Sequence, residues 1–372
     1  MKYVYLDNAA TTSIRPEVIE EMTRVMSETF GNPSSTHSFG RHARNIVETA
    51  RKSVARSMGC SASEIVFTSG GTEADNWVLQ SCIRDLGIRR IITSRIEHHA
   101  VLHTVEALAG EGTRVDFVRV LPSGKVDLAH LEDLLKESIQ TLVSLMHVNN
   151  EIGTVTDLAE VGRLCRSHGA LFHSDTVQSV GKTEISLHGL PVDFIAASAH
   201  KFHGPKGIGF AYIRKGIALK PMILGGEQEK GWRAGTEPVH NIAGMSKALE
   251  ISIQNVEKER TYIQNLKRYC QEKLQDFFPG ARVNGADTFY NILNVCLPIA
   301  EEKASMLPFF LDMKGIAVSR GSACQSGSAK PSHVLAEILD EGDLKKPSLR
   351  ISFSHENATE DIDRLVEALR SV

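Results

Sequence analysis

Charge of one sign is missing here: 42 Lys and Arg stand against 45 Asp and Glu in 372 residues, a formal net charge of −3. Without a basic stripe or a charged tail, neither nucleic acid nor a membrane is an expected partner. Long apolar runs are missing too. None reaches the ~18 residues that suggest a membrane span, and the start, MKYVYLDNAATT, lacks the apolar core and small-residue cleavage site of a signal peptide. Cysteine is sparse and scattered, at 60, 82, 165, 270, 296 and 324, with no CxxC pair. This excludes a disulfide framework and a structural zinc site, and points to a reducing, cytoplasmic compartment. No GxGxxG opens a helix, which weighs against a dinucleotide site.

What is present is an alternation of short apolar runs and helical patterns. Strands are expected at Glu64–Thr68, Arg90–Ser94, Arg114–Val120, Leu142–Val148, Ala170–Ser174, Asp193–Ser198 and Gly209–Ile213. Helices are expected between them at Thr72–Asp85, His98–Ala109, Asp127–Lys136 and Asp157–Ser167, with Asp127 and Asp157 as N-caps. Such succession implies an α/β fold with a mostly parallel sheet covered on both faces, and ligands outside the carboxyl ends of its strands. After about Glu237 the pattern changes to a long charged helical region, one helix or two, and then to an α+β unit containing NILNVCLP, GIAVSR and LRISFS. This unit is expected to form a second, smaller domain.

The strand ends carry a coherent set of polar groups. After EIVFT comes SGGTEADN, Ser69 to Asn76, a strand–glycine–helix turn that can cradle an anion on free backbone N–H groups. It lacks the Gly-Lys-Ser/Thr ending of a Walker A loop, and an ordinary tight turn is the plain alternative. His98 and His99 open a helix; adjacent residues do not face each other there, so a histidine beside a ligand ring fits better than a metal site. Asn149 and Asn150 follow an apolar strand, where one amide can face the site or an Asx turn can form. Asp175 lies just past a buried strand with Gln178 three residues on, and needs a cationic or hydrogen-bonding partner. DFIAASAHKFHGPKGIG places Ser198, His200 and Lys201 at the end of another strand. Lysine is strongly hydrated and seldom sits there without a function. Lys206 is a rival, in a turn where a solvated lysine is ordinary. A lysine, an acid and an anion cradle match one cofactor, pyridoxal 5'-phosphate, which takes a lysine as covalent anchor and an acid at its ring nitrogen.

A second cluster is VSRGSACQSGSAKPSH, in which Cys324 lies among Gly321, Ser322, Gly327 and Ser328. The other five cysteines fall in helical or apolar patterns and read as packing residues. A cysteine on such a loop can serve as a nucleophile that reaches the cofactor and then a partner.

Through YLDNAATT, GNPSSTH, FTSGGTEADN, EHHAVL, VNNEIGTV, DTVQSVGK, SAHKFHGPKG, RAGTEPV, GSACQSG, PSHVL and LRISFS, in that order, the sequence resembles the NifS/IscS-like cysteine desulfurases of the class V aminotransferase group. The resemblance implies a fold type I homodimer with a mostly parallel seven-stranded sheet. Residues 13–250 would form the large domain; 1–12 and 251–372 would form the small one. It implies that Lys201 anchors the cofactor, Asp175 pairs with its ring nitrogen, Gln178 meets the ring oxygen and His98 stacks on the ring. Gly71, Thr72, Ser198 and His200 would hold the phosphate, and Thr236 would reach the neighbouring subunit's phosphate. Asn150 and Arg350 would bind the substrate carboxylate; a surface ion pair is the plain alternative for Arg350. Gly71, where many relatives have alanine, would change little, its contact being through the backbone. The implied reaction removes sulfur from L-cysteine, leaving L-alanine and a persulfide on Cys324 for an acceptor protein, an iron–sulfur scaffold or a thiolation enzyme. Arg320 on the same loop would favour the Cys324 thiolate. The alternative is a selenocysteine lyase or another β-eliminating enzyme on this scaffold.

Overall fold

The computed structural model describes residues 3–300, 306–320 and 332–371. In chain order the strands are β1 (Val4–Tyr5), β2 (Ile65–Thr68), β3 (Arg90–Ser94), β4 (Arg114–Val118), β5 (Thr141–Ser144), β6 (Leu171–Asp175), β7 (Phe194–Ser198), β8 (Gly209–Ile213), β9 (Arg282–Val283), β10 (Ile292–Cys296), β11 (Ile316–Ala317) and β12 (Ser348–Ser352). Seven of them make the central sheet, in the order β2-β8-β7-β6-β5-β3-β4. Pairing is parallel from β7 through to β4; only β8 runs antiparallel to its neighbours β7 and β2.

Apart from the half-exposed edge strand β4, both faces of this sheet are buried, so its strands read as mostly apolar runs instead of alternating ones. Ile65, Phe67, Ile195 and Ala197 point into one core, and Val66, Phe194 and Ala196 into the other. Alternation is still there, but it sorts residues between two apolar layers. The helices start where short polar side chains can take up their free N–H groups. Asp127 accepts from His130 N at 3.1 Å, and Asp157 accepts from Ala159 N at 2.9 Å and Glu160 N at 3.0 Å.

A separate core gathers Val4, Leu6, Leu293, Leu349, Ile351 and Leu365 around the three-stranded sheet β12-β10-β9. The helix Val239–Phe277 joins the two regions. It is one uninterrupted helix of 39 residues, about 58 Å long at 1.5 Å per residue. Its Ile242, Met245 and Leu249 pack into the first core, and its Ile263, Leu266 and Leu274 into the second. The N-terminal segment makes a second connection. Leu6 N donates to Ala317 O at 2.9 Å, and Thr12 N donates to His200 O at 2.9 Å. No helix among the described residues is long and apolar enough to cross a membrane.

Candidate active site

The parallel strands end at one edge of the sheet, and the chain leaves each with a polar group. β6 ends on Asp175, and β7 ends on Ser198 before the tight turn Ala199–Lys201. Around these ends lies a cavity of about 210 Å³. Gly71, Thr72, His98, Asn150, Asp175, Gln178, Ser198, His200, Lys201 and Arg350 all line it. Thr236 does not; it is exposed, on the segment before the long helix. Lys206 is exposed and also outside. Cys324 lies outside the described residues.

The lysine turn is held by backbone contacts. His203 takes a left-handed φ of 64°, and Gly204 N returns to Ala199 O at 2.9 Å. Thr12 Oγ1 donates to His200 O at 2.9 Å and accepts from His203 N at 2.8 Å. The Lys201 amine therefore meets the N-terminal segment, donating to Ala9 O at 2.7 Å and Ala10 O at 2.8 Å. Those two carbonyls orient the amine at the cavity wall.

Asp175 is buried, and its Oδ1 accepts from Val177 N at 2.9 Å. Burial pushes its carboxyl up to about 6, with the Val177 amide and the Lys201 charge pulling the other way. A cation bound beside it would restore the carboxylate. Asp75 also faces the cavity and is 1 % exposed. Its Oδ1 sits 3.3 Å from His173 Nε2, and among the described residues neither atom has a hydrogen-bond partner. Burial, with Asp175 and Glu97 nearby, pushes Asp75 well above the usual carboxylate range.

His98 caps the helix His99–Gly110, its Nδ1 accepting from Ala100 N at 3.1 Å. With Nδ1 used as acceptor, the neutral ring carries its proton on Nε2. Burial and then the Lys201 charge hold His98 down to about 4, so the ring is neutral at physiological pH. The two asparagines divide their work. Asn149 makes the Asx turn, accepting from Glu151 N at 2.9 Å and Ile152 N at 3.0 Å, while Asn150 lines the cavity.

Arg350 on β12 is not a surface pair: it is 1 % exposed. Its Nη2 donates to Asp7 Oδ1 at 2.7 Å, its Nη1 donates to Asn150 O at 2.9 Å, and its Nε has no partner among the described residues. A buried guanidinium with one nitrogen unsatisfied is suited to a further anion.

The helix Gly71–Leu86 opens on Gly70, which offers no side-chain cap, so its first-turn amides are left for a ligand. The expectation that Gly71 changes little needs correction. A Cβ at Gly71 would lie 2.4 Å from Val177 Cγ2. In this chain the space of an alanine methyl is filled by Val177.

The described cysteines are poor nucleophiles. Cys82, Cys165, Cys270 and Cys296 are buried and Cys60 is half-buried. Burial pushes the Cys60 and Cys165 thiols up to about 12. Asp7, Ala9, Ala10, Asp75 and Val177 belong to the site without having been singled out from sequence. Asp75 had a signal, lying one helical turn beyond Gly71 on the same face; the others had none in their local pattern.

Chemically, the cavity offers an uncapped helix start for an anion, an amine for covalent attachment to a carbonyl, an acid for a cation and a buried guanidinium for a carboxylate. Residues 4–365 match the family model described as aminotransferase class-V. The chain is 39% identical over 376 residues to the cysteine desulfurase IscS of Clostridium botulinum (strain Kyoto / Type A2), covering 100% of this chain and 94% of that relative. A solved structure titled NifS-like protein superposes with a TM-score of 0.91 at 37% identity, covering 100% of this chain and 99% of that one. Another, titled SspA in complex with cysteine, gives a TM-score of 0.82 at 32% identity, covering 95% of this chain and 100% of that one.

Proposed function

The chain belongs to the aminotransferase class-V family, and we infer that within it the protein is a cysteine desulfurase, which removes sulfur from L-cysteine with pyridoxal 5'-phosphate as cofactor. The observation that carries this reading is that Lys201, Asp175 and Arg350 line one cavity. The residues fit the cofactor. The uncapped start of Gly71–Leu86 with Thr72, Ser198 and His200 would hold its phosphate, Asp175 its ring nitrogen, Gln178 its ring oxygen, and Lys201 its carbonyl carbon. When bound, the group supplies an electron sink for the substrate's α-carbon.

The chain's own groups do the rest. Arg350 and Asn150 fix the substrate carboxylate. The Lys201 amine moves the proton at the substrate α-carbon. His98, neutral with its proton on Nε2, would face the ring and could hand a proton on. The Cys324 thiolate bonds to the substrate sulfur as the carbon–sulfur bond breaks. The carbon keeps the electron pair and is protonated to give alanine, and Cys324 keeps the sulfur as a persulfide for an acceptor protein. Cys324 lies outside the described residues, but both flanks of its segment are tied to the site. Ser319 and Arg350 exchange backbone hydrogen bonds of 3.2 and 2.7 Å. Ser332 Oγ donates to the buried Glu151 at 2.5 Å, and Glu151 adjoins Asn150.

We also propose a cytoplasmic homodimer in which the exposed Thr236 serves the neighbouring subunit's cavity. Residues 13–250 would be the cofactor-binding unit, and 1–12 with 251–372 the unit carrying Cys324, a division that follows the two cores. The test is spectroscopic and chemical. The protein purified with pyridoxal phosphate should show a visible absorption band that Lys201→Ala abolishes, and Cys324→Ser should keep the band but lose alanine formation from cysteine. A wild-type protein without the band, or a Cys324→Ser enzyme as active as wild type, would refute the reading.

A further inference from the structure

Gln178 has two ends, and the structure fixes both. Its Nε2 donates to Ala9 O at 2.9 Å. Its Oε1 accepts from the amine of Lys182 at 3.1 Å, four residues further on in the turn that follows β6. Lys182 is 8 % exposed, and among the described residues it forms no ion pair. The charged and titratable groups that bear on it are Lys201, Arg350, His200 and His203. None is an acid, and the acid nearest Arg350, Asp7, is already engaged by that guanidinium.

A buried lysine without a carboxylate is costly. As an ordinary packing residue a methionine would fill the same space at lower cost. The amine does two things a methionine cannot. An amide whose oxygen is held by a cation must turn its NH2 the other way, here toward Ala9 and the cavity. The second buried amine is also linked to Lys201 through Gln178 and the Ala9 carbonyl that both Gln178 and Lys201 meet, and two nearby cations each disfavour the other's charge. Burial, then Lys201 and Arg350, hold Lys182 down to about 7, so its own charge varies over the working pH range.

We infer that Lys182 is a positioning residue of the active site: its hydrogen bond to Oε1 sets Gln178 to present an NH2 donor to the bound cofactor, and its amine is the electrostatic partner of Lys201. This rests on the pyridoxal phosphate reading above. It assigns a role to the lysine of DTVQSVGK that neither binds substrate nor touches the cofactor.

The test uses the full-length holoenzyme and follows the visible band of the bound cofactor against pH. The Lys182 amine and the cofactor-bound Lys201 nitrogen titrate as a coupled pair, so the wild-type curve spans more than the roughly two pH units of a single proton. Lys182→Met removes the charge and the donor; Lys182→Gln removes the charge alone. In both variants the curve should sharpen to one proton and its midpoint rise by about one pH unit, because the protonated state beside Lys201 no longer meets a second cation. Cofactor affinity, measured by fluorescence titration of the apoenzyme with pyridoxal phosphate, should fall about tenfold in Lys182→Met and recover in Lys182→Gln. A merely structural lysine would lower thermal stability and leave the midpoint unmoved. A one-proton wild-type curve, on which the glutamine variant superimposes, overturns the assignment while leaving the cofactor reading intact. A wild-type protein with no band at any pH overturns both. Should Lys182→Met fail to fold, the wild-type curve shape and Lys182→Gln still decide the question.

Discussion

Replacing Gly71 by alanine adds one methyl at the mouth of the anion cradle, and the structure says where it goes. The new Cβ would lie 2.4 Å from Val177 Cγ2, with the next atom, Val177 Cβ, at 3.8 Å. Favourable carbon–carbon contact begins near ~3.5 Å, so the overlap is about 1 Å and concentrated on one methyl. Overpacking of this kind costs about 1–3 kcal/mol. Alanine in place of glycine in a helix returns up to ~1 kcal/mol, and Gly71 has no positive φ to forbid it. The net expectation is a loss of about 1–2 kcal/mol, a fall of a few degrees in Tm. The strain has an outlet, because Val177 is only half-buried and lines the cavity. Pushed aside, it enters the space the cofactor needs, so affinity for pyridoxal phosphate should drop more steeply than stability. Val177→Ala removes the obstructing methyl. The Gly71→Ala/Val177→Ala double variant should therefore bind the cofactor nearly as wild type, with a coupling of at least ~1 kcal/mol in the cycle. Fluorescence titration of the four apoproteins with pyridoxal phosphate measures this, with thermal unfolding in parallel. Additive effects, or a Gly71→Ala protein indistinguishable from wild type, would refute the steric reasoning.

Other changes separate the parts of the site. Asp7→Asn takes the carboxylate from Arg350, a charge-assisted bond worth about 1.5–3 kcal/mol; KM for cysteine should rise roughly ten- to a hundredfold with cofactor affinity unchanged in titrations. Glu97 is 1 % exposed and burial raises it to about 8, above its ordinary 4.5. A group raised on folding stabilises fully below its unfolded pKa and loses that contribution as pH rises through its folded pKa. The stability of wild type relative to Glu97→Gln should therefore decline from about pH 5 to pH 8, read as the difference in their unfolding curves; a constant difference would contradict it. Glu229 meets Arg51 in a buried bidentate pair of 2.6 and 2.7 Å and accepts from Phe67 N at 2.8 Å. Glu229→Ala leaves the buried guanidinium only the half-exposed Glu48, at 3.1 Å, as a carboxylate partner among the described residues and should cost up to about 3–5 kcal/mol in denaturant unfolding, more than the Arg51→Met/Glu229→Met double variant.

The sheet was legible because its strands, apart from the edge strand β4, are buried on both faces and stand out as apolar runs; Arg90–Ser94 and Gly209–Ile213 begin and end where their composition says. Two strands stop short of their apolar runs, and in each case the backbone has found another partner. β5 ends at Ser144, because Met146 N donates to the Glu97 carboxylate at 2.9 Å, while His147 N still meets β6 at Asp175 O, 2.9 Å. β4 ends at Val118, and Val120 instead bridges Val126 across a turn. The site was legible to the extent that it sits at strand ends, where the residue type and the end of the run occur together. Asp175, Ser198 and Lys201 are read that way. Asp7 and the Ala9 and Ala10 carbonyls were not, since Lys201 reaches Ala9 across 192 residues of sequence and any residue has a carbonyl. The packing of Val177 against Gly71 was also invisible, because a glycine in such a turn is explained well enough by backbone approach alone.

The segment from Asp7 to Thr12 accounts for how one cavity can draw on two cores. Asp7 holds Arg350, which belongs to β12 and the smaller core, while Ala9 and Ala10 hold Lys201 at the end of β7 in the larger one. Ala9 N is itself tied to Ser352 Oγ at 2.8 Å, and Thr12 to the turn that carries the lysine. A displacement of β12 away from the central sheet would have to break the Asp7 and Ser352 contacts or drag the two carbonyls off the lysine amine. The Arg350 guanidinium and the Lys201 amine are thus set against each other by six residues of main chain. The long helix Val239–Phe277, about 58 Å in length, cannot set that spacing by itself, because a bend of a few degrees along it would shift one end by several ångströms. A short segment in direct contact with both groups can, which is why small side chains and an acid suffice there.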